Sequence, residues 1–177
     1  MKNLKLTIVS IFLLIALVMN AQTNEKATLY IVRTSGLGAA VNFKYFIDDQ
    51  YVGKCNFGKY FKLEVDTGKH LIWAKAENRS FVEANLEAGK TYVINAVPQM
   101  GALKAGVYLK AENNPDEKDM EKIKKYIEKK KLIVYDEKKK KLEQQDYEGF
   151  IEKSMTFYNE KVKGQPDVAK LTEAIEL

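Results

Sequence analysis

The chain reads as mainly β: an antiparallel β-sandwich followed by a C-terminal helical appendage. Three observations predict this. Apolar residues recur at every second position from Ala27 to about Lys110, turn-forming glycines and acids interrupt them, and beyond Glu112 the sequence becomes Lys- and Glu-rich and nearly free of glycine. Period-two alternation marks a strand with one buried face, whereas apolar residues three and four apart in a charged stretch mark an amphipathic helix.

Strands are expected over residues 27–33, 41–48, 51–56, 60–65, 69–77, 81–86, 91–98 and 104–110. In the second, Val41, Phe43, Tyr45 and Ile47 share one face, while Asn42, Lys44 and Asp48 share the other with Phe46. In the fourth, Phe61, Leu63 and Val65 oppose Tyr60, Lys62 and Glu64. Asp48-Asp49-Gln50 suits a tight hairpin, and Thr67-Gly68-Lys69 and Ala88-Gly89-Lys90 each place a glycine where a positive φ would reverse the chain. Trp73, between Ile72 and Ala74 in what reads as the longest strand, is the expected core anchor. This strand number and spacing suit an immunoglobulin-like or transthyretin-like sandwich.

Asn114 and Pro115 read as the N-cap and first residue of a helix, with Asp116, Glu117 and Asp119 favourably placed against its dipole. Met120, Ile123, Tyr126 and Ile127 fall on one face of it. A second helix is expected over about 146–163, with Tyr147, Phe150, Ile151, Tyr158 and Val162 as its apolar stripe. Gly164 would end it, and Pro166 would open a short last helix carrying Val168, Leu171 and Ile175. Leu132-Ile133-Val134-Tyr135 is too short to assign and fits a strand or a helix continuation. Each apolar helix face must be covered, by the sandwich, by the sister helix or by another protein; a membrane surface is disfavoured, because the apolar faces are modest and the charges mixed.

The first residues predict a destination. Lys2 and Lys5 precede the apolar stretch Leu6 to Met19, which runs into Asn20, Ala21 and Gln22, the order of a cleavable signal peptide. That stretch is fourteen residues long and contains Thr7 and Ser10, short of the roughly 20 apolar residues that span a bilayer. Residues 1–22 are therefore expected to be a signal peptide, 23–111 the β-sandwich and 112–177 the Lys/Glu-rich helical region, with the mature chain exported to the periplasm or cell surface. Ala21, Gln22 and Thr23 stand where a lipoprotein would carry its acylated cysteine, so no lipid anchor is expected.

A sequence pI near 9.0 invites a polyanion partner, but the charge is unevenly placed. Residues 23–111 carry twelve Lys/Arg against eight Asp/Glu, and residues 112–177 carry fifteen against sixteen. Lys129 to Lys131 and Lys138 to Lys141 are locally basic, yet Glu128, Asp136, Glu137 and Glu143 cancel much of their field, the pattern of a solvated helix face. No nucleic-acid partner is expected. Cys55 is the only cysteine, so no internal disulfide is available, and it reads as a small packed residue.

Several stretches together resemble a known family. In order they are Tyr30-Ile31-Val32-Arg33, Tyr45-Phe46-Ile47-Asp48-Asp49-Gln50-Tyr51-Val52-Gly53, Tyr60-Phe61, Gly68-Lys69-His70-Leu71 and Leu86-Glu87-Ala88-Gly89-Lys90-Thr91-Tyr92. This series resembles the bacterial family catalogued as domain of unknown function 2846, and it is similar to PEGA-type surface modules in its hairpin and its Gly-Lys-His turn. The resemblance covers about residues 26–111. It implies an envelope-associated β-sandwich and carries no catalytic residues onto this chain.

Motifs for chemistry are weak. Gly36-Leu37-Gly38 follows a strand, but Val41 stands where a dinucleotide fingerprint needs a small residue, and a strand follows instead of a helix. Ser35 lacks a nucleophile-elbow context. His70 is the sole histidine and reads as a partly exposed structural residue after a turn; one His and one Cys make a poor zinc set. Asp48, Asp49 and Asp66 read as turn acids, and Asn78-Arg79-Ser80 matches a glycosylation acceptor to which no role is assigned. No catalytic, cofactor or metal site is expected. The leading expectation is an exported, non-catalytic envelope protein with a binding or structural role toward another envelope protein or a surface polymer. Its alternatives are a carboxylate-based hydrolase of envelope polymers, and an interaction module using an edge strand gated by the helical tail. Any interaction surface is expected near the loop Thr34 to Ala40 or at Tyr60 and Tyr51.

Overall fold

The computed structural model describes residues 26–101 and 105–177; the expected signal peptide, residues 1–22, lies outside them. The strands are β1 (Lys26–Val32), β2 (Phe43–Ile47), β3 (Gln50–Cys55), β4 (Lys59–Asp66), β5 (Gly68–Lys75), β6 (Arg79–Leu86), β7 (Thr91–Met100) and β8 (Ala105–Ala111), followed by α1 (Glu117–Lys129), β9 (Lys131–Leu132), α2 (Glu137–Phe157), a π-helical turn Tyr158–Val162, and β10 (Ala169–Leu171). They form two five-stranded sheets, ordered β8-β7-β1-β4-β9 and β10-β6-β5-β2-β3. The alternating runs of the sequence are thus the strands of a sandwich. Asp48, at φ 52, turns the β2–β3 hairpin, and Gly68 and Gly89 take positive φ at the expected turns.

Between the sheets lie the alternate residues of each strand, among them Leu29, Ile31, Tyr45, Ile72, Val82 and Ile94, all within 1% of complete burial. Burying side chains of this size stabilises the fold by about 1.5–3 kcal/mol each. Both outer faces are covered as well. On the first sheet, Val32 and Val93 pack against Ile123 and Tyr126 of α1 and against Ile175. On the second, Phe46, Tyr51, Leu71, Trp73 and Phe81 pack against Ile151 and Tyr158. The molecule is therefore layered helix, sheet, sheet, helix.

Four features differ from the sequence expectation. The sheets are mixed, because β1 pairs with β7, β4 with β9 and β6 with β10 in parallel; alternation reports which face is buried and carries no strand direction. Trp73 is fully buried, but on the outer face of its sheet, and the longest strand is β7. Helix α1 starts later than Asn114: that residue has φ 47, and Asp116 Oδ1 accepts the Asp119 N–H at 2.7 Å as the true cap. The last helix is absent. Ala169–Leu171 instead pairs with Val82–Ala84, where β6 offers an open ladder and Leu171 is completely buried. Helix α2 also begins nine residues before position 146, because Asp136 Oδ1 accepts from the Lys139 N–H at 2.8 Å and caps a run of strong helix formers.

Sheet edges invite unwanted pairing, and each edge here is handled. β9 and β10 are edge strands of two and three residues. On β8, Asn78 Oδ1 accepts the Val107 N–H at 2.7 Å, its Nδ2 donates to the Val107 carbonyl at 2.8 Å, and Ser80 Oγ accepts the Leu109 N–H at 2.9 Å. Gly106 makes room for this, since a Cβ there would stand 2.9 Å from Asn78 Oδ1. On β3, the Gln144 side chain accepts the Tyr51 N–H and donates to the Asp49 carbonyl at 2.9 Å. Among the described residues no helix is long and apolar enough to cross a membrane.

Candidate functional site

The residues flagged in the sequence fall into separate places. His70 meets two of the turn acids: Nδ1 lies 2.7 Å from Asp48 Oδ2, and Nε2 lies 2.8 Å from the Asp66 backbone carbonyl. Asp48 Oδ1 also accepts the Leu71 N–H at 2.7 Å, and its carbonyl accepts from Trp73 Nε1 at 2.9 Å. A histidine working as a general base needs one nitrogen facing a nucleophile. Here both face acceptors, so the group ties the β2–β3 hairpin to the β4–β5 turn. Cys55 is buried, and burial pushes its thiol up to about 11. The amide of Asn78 is consumed on β8. Tyr51, expected on the surface, is fully buried under α2, while Tyr60 stacks on Tyr30 with centroids 6.2 Å apart.

The loop after β1 is held from below. Arg33 has no exposed surface; Nη1 donates to the Val41 carbonyl at 2.7 Å, and Nη2 donates to those of Leu37 and Gly38 at 2.8 Å. Its guanidinium lies 4.1 Å above the Phe43 ring, and burial lowers its pKa. Gly36-Leu37-Gly38 therefore wraps an arginine of its own chain.

The outer face of the second sheet holds an arrangement that no stretch of sequence displays. Strand register places Tyr51 beside Phe46, Phe46 beside Trp73 and Trp73 beside Phe81, an aromatic row across four strands. Phe46 and Trp73 stack with centroids 3.9 Å apart and ring planes 10° from parallel. Tyr147 and Phe150 of α2 close over this row. The same register places Lys54 beside Lys44, Lys44 beside Lys75 and Lys75 beside Arg79, a parallel row of four cations.

Helix α2 touches the cation row along its length. Lys54 Nζ lies 2.8 Å from Glu143 Oε1, Lys44 Nζ 4.7 Å from the Tyr147 ring centre, and the Arg79 guanidinium 4.3 Å from that of Phe157. Arg79 also donates to Ser154 Oγ at 3.3 Å, and Lys75 Nζ donates to the Glu77 carbonyl at 2.7 Å. Burial pushes the Glu143 carboxyl upward, but hydrogen bonds from Lys54, Tyr135 and Tyr51 outweigh it and leave the group below its ordinary pKa. Burial and the nearby charges of Arg79 and Lys44 lower Lys75.

Both ends of the row open into clefts. Lys54 lines one of about 430 Å³ together with Lys59, Lys131, Lys139 and Asp136. Arg79 lines another of about 310 Å³ together with Phe157, Lys161 and Asp167. Lys131 and Lys139, read as solvated helix-face residues, thus converge with two lysines of the strands. A further cleft of about 520 Å³ lies beside the aromatic row, where Tyr158 donates to Glu83 at 2.6 Å near His70, Lys69 and Lys170. Among the described residues, no three His, Cys, Asp or Glu side chains gather as a metal-ligand set.

No family model matches the chain, and no solved structure matches it. An uncharacterised protein of Haemophilus influenzae is 30% identical over 82 residues, 46% of this chain and 49% of that relative. The chain thus spans about half the length of the curated relative it matches.

Proposed function

We propose that the protein is an exported, non-catalytic β-sandwich of the bacterial envelope that works by binding, and that the cationic margin of the second sheet's outer face, beside the area α2 covers, is the binding surface. In this reading it belongs with the domain of unknown function 2846 and PEGA-type modules, with a sandwich of immunoglobulin-like or transthyretin-like type and no lipid anchor. The observation that carries the binding role is the row Lys54, Lys44, Lys75 and Arg79, whose ends open into two clefts. Like charges directly opposite on neighbouring strands destabilise a sheet. Helix α2 meets the four with one carboxylate, Glu143, and otherwise with Ser154, Tyr147 and Phe157, and this surplus of positive charge supports a binding role. The closed geometry of His70, with both nitrogens engaged, supports the non-catalytic half of the reading. The Lys2-to-Gln22 pattern supports export.

Fractionation with N-terminal sequencing tests the destination: a chain released with the envelope fraction and lacking about its first twenty-two residues is expected. Recovery in the cytoplasm with that segment intact overturns it. A photo-crosslinker placed at Asn42, beside Lys54 in the larger lysine cleft, tests the surface and should trap an envelope component.

A further inference from the structure

The chemistry of the cation row points to a class of ligand, an inference that rests on the binding face proposed above. Neighbouring strands stand about 4.8 Å apart, so the backbone positions of the four basic residues step across the sheet at close to the length of one sugar ring. The row is underneutralised. Glu143 pairs with Lys54, the Glu77 charge acts on Lys75, and Ser154, Tyr147 and Phe157 meet the other members without a formal charge. The larger end cleft adds Lys59, Lys131 and Lys139 against Asp136.

We propose that this row and its two end clefts form a track for an anionic polysaccharide, a chain bearing one carboxylate or phosphate on successive sugar units. Two other kinds of anion fit the surface less well. Single-stranded nucleic acid is held by bases stacking on free aromatic faces, and the rings nearest the row, Tyr147 and Phe157, already carry Lys44 and Arg79 on their faces. An acidic peptide adding as a strand needs an open sheet edge, and at β3, the edge strand that carries Lys54, Gln144 bonds the Tyr51 N–H and the carbonyl of Asp49 in the turn before it. A saccharide needs neither; it needs a series of cations and hydrogen-bond donors.

The test is the thermal midpoint of the purified protein with polygalacturonate, a carboxylate on every unit, or with a phosphorylated glucan. Neutral dextran and single-stranded DNA serve as comparators. A saturable rise is expected with either anionic polysaccharide, lost in high salt, with no rise from dextran and at least tenfold weaker binding of DNA. The double variant Lys44→Gln, Lys75→Gln should bind the polymer at least tenfold more weakly while its own midpoint without polymer stays equal or rises, because like-charge repulsion has been removed. The control Lys122→Gln, Lys125→Gln, on α1, loses the same net charge and should bind as the parent does. Equal weakening by the control, unchanged affinity in the double variant, or DNA binding as tight as polysaccharide each overturns the proposal. Failure here with envelope components still crosslinked from Asn42 removes only the ligand class. Cytoplasmic recovery removes the envelope reading itself.

Discussion

The two sheets are covered in contrasting ways on their outer faces. Over the first sheet, α1 buries Ile123 and Tyr126 on Val32, Val93 and Ile175 with Phe57 beside them, and ion pairs match the charges at its border: Lys110 bridges Glu112 at 2.8 Å and Asp119 at 3.0 Å, and Lys122 meets Asp119 at 2.7 Å. Over the second, α2 buries an aromatic row, and the cations beside it outnumber their carboxylates. Matched charge is what a face organised for stability carries. Unmatched charge in register, at the margin of an otherwise well-packed interface, separates the part of the molecule that holds itself together from the part that reaches outward.

The largest expected effect is removal of the chain after Ala111, which strips α1, α2, β9 and β10 and exposes both outer faces and the β4 and β6 edges. The truncated protein should be insoluble; a soluble, cooperatively folding fragment would break the comparison by showing that neither helix completes a core. Next, Trp73→Ala should cost about 3–5 kcal/mol and Ile123→Ala about 2–5 kcal/mol in urea unfolding. The first should also loosen α2, the second α1, each seen as selective loss of amide protection in its own helix. Asn78→Ala should cost about 1–2 kcal/mol by unpairing the Val107 backbone, and hydrogen exchange at that amide checks it.

Smaller effects follow from titration. Hydrogen bonds from Lys122 and Lys110 hold the Asp119 carboxyl at about 2, below the roughly 3.9 of an unfolded chain. Its stabilising contribution is therefore complete above about pH 4 and is lost as pH falls through about 2. Asp119→Asn should flatten that part of the acid profile of the thermal midpoint. Cys55 has the opposite sign: a buried thiol raised to about 11, against roughly 8.5 in an unfolded chain, contributes fully below about pH 8.5 and loses that contribution as pH rises to about 11. In the native protein at neutral pH it should resist a thiol reagent over hours, then react at once in denaturant.

Much of this contrast was hidden from the sequence for a definable reason. Alternation located all eight long strands, and the spacing of Ile123 and Tyr126 located the α1 face, because both are periodicities within one segment. The cation row is a periodicity across segments. Lys44, Lys54, Lys75 and Arg79 become neighbours only through strand register, which depends on which strands pair and where. A trace was present in Phe46, an aromatic residue on the face of β2 that otherwise carries Asn42, Lys44 and Asp48; it signals that this face is half covered. Parallel pairing of β9 and β10 left no such trace in two- and three-residue segments.

Those two short strands also set the order in which the protein can be completed during synthesis. Lys131–Leu132 and Ala169–Leu171 close ladders opened by β4 and β6, more than seventy residues earlier in each case. A nascent chain that has made its sandwich strands but not its last third is therefore an adhesive object, with two unfinished borders and two bare apolar surfaces. Such a chain has every reason to be chaperoned until its final segment arrives, and a stalled or clipped copy would aggregate where the complete one does not.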